Sequence, residues 1–222
     1  MIGDKIYALA KKLFPITRSL AGNGVGETLA HVKQICPVMI IHEVSSGTEV
    51  VGWASTKEWN LNEACVWAPV DEELWTSKKL HVFNYSIPLN TELTLEELEK
   101  HFYTLPDQPT VIPHITSYYS PRQGFSLSHI EREAFLPRKH KAVFDAAFFS
   151  CYLTYGEIII PGETEEAEFL SLFVCHPSMV TNEFSRPKGT IYLADWLSRF
   201  SKRSYTYLYV YSRDDWLNAL LK

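Results

Sequence analysis

Phe169-Leu170-Ser171-Leu172-Phe173-Val174-Cys175-His176-Pro177-Ser178-Met179 is the stretch on which the fold turns. Apolar and small residues run without interruption into a histidine. A strand that is apolar on both faces suits a sheet covered on both sides, as in parallel α/β folds. In such sheets ligands gather just beyond the carboxyl ends of the strands, where side chains leave the packed core. His176 is therefore a candidate zinc ligand, provided that carboxylates from neighbouring strand ends complete the set. Cys175 beside it is read as core-facing, because adjacent residues on extended backbone point to opposite sides.

Working outward, residues 153–160 and 205–211 have the same strand-like character, and 191–200 is helical. At the other end, Ile2, Ile6, Leu9 and Leu13 fall at helical spacing, opposite Lys5, Lys11 and Lys12, and Pro15 ends that helix. Gly22-Asn23-Gly24-Val25-Gly26 follows. A phosphate loop needs a strand before its glycines and a helix after them. Here a helix precedes, so the stretch reads as a structural turn, with a second helix over 27–35 and a strand over 38–44. Between residues 46 and 140 the pattern changes to short apolar runs broken by Gly, Pro and Asn. Thr94-Leu95-Glu96-Glu97 and Ser128-His129-Ile130-Glu131 there have capping-box form. The expected organisation is a partial α/β domain over 1–45 and 141–222, interrupted by a small β-rich module over 46–140.

The 222 residues are 46% hydrophobic and 21% charged, which excludes a disordered chain. A net charge of -5 argues against nucleic acid or an anionic membrane as partner. Cys36, Cys65, Cys151 and Cys175 form no C-x-x-C pair, so neither a cysteine zinc cluster nor a disulfide scaffold is expected. No run fits a signal peptide or a membrane span, and the chain reads as cytoplasmic. The histidines other than His176 show no ligand spacing. Trp53, Trp59, Trp67 and Trp75 are candidates for an aromatic sugar platform or for packing within the module.

Several ordered motifs are familiar: Phe14-Pro15-Ile16-Thr17-Arg18-Ser19, Ser46-Gly47-Thr48, Lys57-Glu58-Trp59-Asn60, Tyr85-Ser86-Ile87-Pro88, Tyr103-Thr104-Leu105-Pro106, Leu127-Ser128-His129, Tyr155-Gly156-Glu157 and the block 174–179. With these the chain resembles, over nearly its whole length, aminopeptidase-like proteins of unknown function found among polysaccharide-biosynthesis genes. These are relatives of the M28-type zinc aminopeptidases. The resemblance implies a phosphorylase/hydrolase-like α/β sheet, here incomplete at the C-terminus, with an inserted β-rich module. It also implies zinc as cofactor and a peptide or small amide as substrate.

In that family the block runs on as roughly Ala-Asn-Asp-Glu-Leu-Ser-Gly-Pro, and the resemblance implies the histidine and the aspartate as zinc ligands, the aspartate bridging two metals. Here His176 matches, but Asn182 stands at the aspartate position and Arg186 at the glycine; Glu183 is a candidate substitute ligand, its direction from the strand end left open by the sequence. An amide is a weaker donor than a carboxylate and brings no charge to offset a dication. After the last strand the family carries Pro-Glu-Thr-Ile-Gly-Ser, whose glutamate is expected at the metal. This chain has Ser212-Arg213-Asp214-Asp215-Trp216-Leu217-Asn218. Encoded as TCC CGA GAC GAT TGG CTC AAT and read one base later, that segment gives Pro-Glu-Thr-Ile-Gly-Ser, so a shifted reading frame near Tyr211 is expected. Asp214 and Asp215 as a new metal pair is the rival reading. The chain is thus expected to be a truncated relative, silent alone, with zinc incomplete or absent and self-association through an exposed sheet edge. The second expectation is a glycan- or protein-binding module built on the insert.

Overall fold

A computed structural model describes residues 1–50, 53–68, 73–76, 84–115, 122–164, 166–176, 183 and 185–212. The chain opens with α1 (Ile2–Leu13), α2 (Asn23–Ile35), β1 (Ile40–Ser45), β2 (Glu49–Val50) and β3 (Trp53–Ala54). Then come β4 (Glu58–Trp67), β5 (Glu73–Thr76), β6 (Leu89–Thr94), α3 (Leu95–Glu99), β7 (Phe102–Tyr103), β8 (Phe125–Ser126) and α4 (His129–Glu133). It closes with β9 (Lys139–Phe149), β10 (Tyr152–Ile160), β11 (Ala167–Phe173), α5 (Arg186–Ser198) and β12 (Thr206–Ser212). Two compact units result: Met1–Glu58 with Phe149–Lys222, and Trp59–Phe148. These divisions fall later in the chain than the composition boundaries at 46 and 140. Ser46 and Ser55 stay bonded to the first unit, through Ser46 N to the Cys151 carbonyl and Ser55 Oγ to the Ser45 carbonyl.

The first unit is built on a sheet in the order β1-β10-β12-β11. The expectation of a parallel sheet is corrected in part. β10 is antiparallel to both β1 and β12, and only β11 and β12 run parallel. The reason lies in the connections: the link from β10 to β11 is too short for a crossover, whereas β11-α5-β12 carries the helix a parallel return needs. One face of this sheet is closed by helices. Leu13, Leu29, Val32, Met39, Ile158, Leu172, Ile191 and Tyr209 are all buried in one cluster. Each such aliphatic side chain contributes about 1.5–3 kcal/mol by leaving water.

The glycine run belongs to this core. α2 starts at Asn23, inside the stretch read as a turn, because Gly24 must be bare: a Cβ there would stand 2.0 Å from the Thr17 carbonyl oxygen. The N-terminal turn of α2 thus lies directly on the backbone that leads into Arg18.

In the second unit β5-β4-β9-β6 form a sheet, with β6 antiparallel to β9. Its core is aromatic: Phe125 and Phe144 stack at 4.4 Å, and Phe102 meets Phe135 at 4.9 Å. Trp59 is 1% exposed and donates its Nε1 hydrogen to the Ser86 carbonyl at 2.9 Å. It belongs to that core, which removes it from any sugar platform. The side chains of Trp53 and Trp75 lie outside the described ones. Both capping boxes form as expected: Ser128 and Glu131 bond reciprocally at the start of α4, and Thr94 and Glu97 at the start of α3. No helix among the described residues is long and apolar enough to cross a membrane.

Candidate functional site

The parallel strands β11 and β12 end side by side, and the Val174 N–H still bonds the Ser212 carbonyl at 3.2 Å. Beyond Phe173 the regular ladder stops, and strand alternation stops with it. Cys175 is buried as expected, yet its side chain does not point away from its neighbour. Its Sγ lies 3.2 Å from His176 Nδ1 and 3.7 Å from Glu183 Oε1. The His176 Nδ1 and Glu183 Oε1 atoms are 2.9 Å apart, with side-chain exposures of 13% and 2%. Three potential metal donors therefore converge within 4.8 Å of one another. Asn182 lies outside the described residues, as do Pro177, Ser178 and Met179, and Asp214 and Asp215.

Two cations are buried around this group. Arg18 donates Nε–H to the His176 carbonyl at 3.0 Å and Nη1–H to the Leu13 carbonyl at 2.9 Å. Burial lowers its pKa to about 10, against the attraction of Glu183 and then Cys175, so the guanidinium stays charged at neutral pH. Lys188, in the first turn of α5, is lowered to about 7, first by burial and then by repulsion from Arg18. Tyr211 on β12 is likewise buried, which pushes its hydroxyl above the ordinary phenol range, and Thr190 Oγ1 lies 3.4 Å from it. A cavity of about 400 Å³ opens elsewhere, between α1 and α5, lined by Ile2, Lys5, Tyr192, Asp195 and Trp196 among others. It contains none of the strand-end residues.

Sequence reasoning placed His176 here and left the direction of Glu183 open. It missed the parts played by Arg18 and Lys188. Arg18 carried a signal, since it sits in the Phe14–Ser19 motif. Lys188 carried none.

A mixed sheet with helices closing one face, and a histidine just past the end of a parallel strand, define an α/β domain whose likeness to solved structures points to the aminopeptidase-like fold. Solved structures agree. A crystal structure from Clostridium acetobutylicum, described as a peptidase, has a TM-score of 0.92 and 37% identity over 96% of this chain and 50% of that one. The zinc aminopeptidase BSAP from Bacillus subtilis shares the fold at 8% identity, with a TM-score of 0.58 over 95% of this chain and 60% of that one. A peptidase M28 precursor from Shewanella amazonensis does so at 9% identity and 0.55, over 93% and 63%. The chain belongs to the family described as domain of unknown function DUF4910, whose model matches residues 7–214. A Clostridium acetobutylicum protein named for polysaccharide biosynthesis and an aminopeptidase-like domain is 39% identical over 210 residues. Those residues are 93% of this chain and 48% of that protein, so the chain spans about half the length of the curated relative it matches.

BSAP is named as a zinc aminopeptidase, and the donor set of this chain can be tested against such a metal. Two dications need several carboxylates, to bridge them and to balance their charge. Glu183 is the one carboxylate in the described group, its Oε1 is engaged with His176 Nδ1, and Arg18 stands against it. These residues do not fit a two-zinc centre.

Proposed function

We propose that this chain is an aminopeptidase-like domain that does not hydrolyse peptides or small amides by itself. Hydrolysis of this type needs a metal to polarise the carbonyl and acidify water, and an ionised carboxylate to take the proton. The observation that carries the reading is the state of Glu183: its oxygen is bonded to His176 and its charge is offset by Arg18. Asn182 at the aspartate position supports it from the sequence. The test is to load purified protein with zinc, measure bound metal by mass spectrometry, and assay a panel of aminoacyl-p-nitroanilides. Substoichiometric zinc without turnover is expected. Stoichiometric zinc with turnover that disappears in His176→Ala would overturn the reading.

The same reading includes a reduced, cytoplasmic setting, supported by the fact that none of the four cysteines is in a disulfide. It also includes self-association through the sheet. β1 and β11 are its outer described strands, and Ile40 and Ile159 are more than half exposed. Light scattering during size exclusion should show a dimer or larger species that Ile159→Lys converts to monomer.

A further inference from the structure

The strand register of the first unit sorts the side chains of its sheet between two faces. Ile158, Ile160, Leu172 and Tyr209 belong to the cluster closed by the helices. Side chains alternate along a strand, so Ile159 of β10 and Leu208 of β12 point the other way. These two are direct partners across the ladder, and Phe169 of β11 pairs with Leu208 in the same row. Ile40 of β1 pairs with Glu157, two residues from Ile159 and so on that same second face. One end of this face is closed, where Leu153 packs with Ala21. Toward the other end Ile40 and Ile159 are 54% and 52% exposed, an apolar row that crosses the sheet from strand to strand.

Two features of the row decide what fits it. The first is its place in the sheet. Pairing between sheet edges uses the backbone of an outer strand, here β1 or β11. Ile159 and Leu208 lie on β10 and β12, each flanked by a strand on both sides, so an edge contact would leave them in water. The second is charge. Among the described strand residues of this face, the acidic or basic side chains are His42 and Glu157, and their Nε2 and Oε2 atoms lie 2.9 Å apart. A strongly charged partner would find that pair already made. A copy of the same face brings the same apolar row and the same self-contained pair, and the two meet without an unpaired like charge. A surface complementary to itself is what a two-fold contact requires.

We infer that the sheet face bearing Ile40, Ile159, Leu208 and Phe169 is the surface on which two copies of this chain meet, stacked face to face about a two-fold axis and not joined edge to edge. The inference rests on the proposed self-association through the sheet and says which part of the sheet carries it. Two sheets packed in this way interleave their side chains over about 10 Å and leave the outer strands unpaired.

Size exclusion with light scattering on the full chain, over a series of concentrations, reads the association, and hydrogen exchange followed by mass spectrometry reads its geometry. The wild type should be a dimer at the higher concentrations. Leu208→Lys places an ammonium in the middle of the row, on a strand no edge contact reaches, and should weaken the dimer about 100-fold. The outward amides of β1 and β11 should exchange as fast in the dimer as in the monomer, because stacking of faces pairs no new backbone. A dimer that survives both Leu208→Lys and Ile159→Lys, or one in which amides of β1 or β11 gain protection, would overturn the face-to-face arrangement and leave self-association standing. A wild type that is monomeric at every concentration would sink self-association and this inference with it. If circular dichroism shows that Leu208→Lys does not fold, Ile159→Lys and the exchange pattern of the wild type decide.

Discussion

The two units hide different chemistry in their interiors. In the unit formed by Met1–Glu58 and Phe149–Lys222, Arg18, Glu183 and Lys188 are each at most 5% exposed. In Trp59–Phe148 the buried polar residues described are Asn84, Ser86, Ser126, Ser128 and His140, none of which bears a permanent charge. Taking an ion out of water costs several kcal/mol even after relaxation, so buried Arg18 and Glu183, with the half-charged Lys188 beside them, mark a place where packing alone did not decide the sequence. The aromatic unit shows the opposite solution, in which ring contacts and apolar area supply nearly all the stabilisation. Buried charge therefore marks the first unit among the described residues.

Trp59→Ala should have the largest effect. It removes the biggest buried ring among the described residues of the second unit and should cost about 4 kcal/mol, read by denaturant unfolding, while the His176 nitrogen NMR signals stay in place. A disturbance of those signals would break the division between the units. Glu183→Gln should cost about 3 kcal/mol in the first unit, because Arg18 then remains buried opposite a neutral amide.

Lys188→Met should have the opposite sign, stabilising by about 1–2 kcal/mol at pH 6 by removing a buried cation beside Arg18. Its pH dependence is specific. Burial holds the folded-state value near 7, below the ordinary 10.5, so between those values the unfolded chain binds the extra proton. Wild-type stability relative to Lys188→Met should therefore climb as pH rises above 7, and the gap should be widest below 7. Smallest of all, Ser128→Ala removes the cap of α4, which accepts the Glu131 N–H at 3.2 Å, and should cost about 1 kcal/mol.

Local features were legible in the sequence and distant ones were not. The 3.6-residue spacing of Leu9 and Leu13 marked α1, the aromatic run marked β12, and the Ser128 and Thr94 boxes marked two helix starts. The pairing of β6 with β9 could not be read, because neither strand carries anything that names its partner across so much intervening chain. Cys175 is buried as expected, but its side chain does not turn away from His176, because strand alternation does not extend past Phe173, where β11 ends. His176 was legible because it follows an apolar run. The role of Arg18 was not, since its contact with His176 joins residues 158 apart in sequence.

The bare Cα of residue 24 gives that long-range contact a mechanical side. α2 rests so closely on the Thr17 carbonyl that even a methyl group at Gly24 would act as a wedge under the segment holding Arg18. The push would be felt at the imidazole, at the far end of the sequence. A residue with no side chain thus sets how much distortion the reactive corner tolerates, and damage to that corner can originate at a position no chemical inspection of it would reveal.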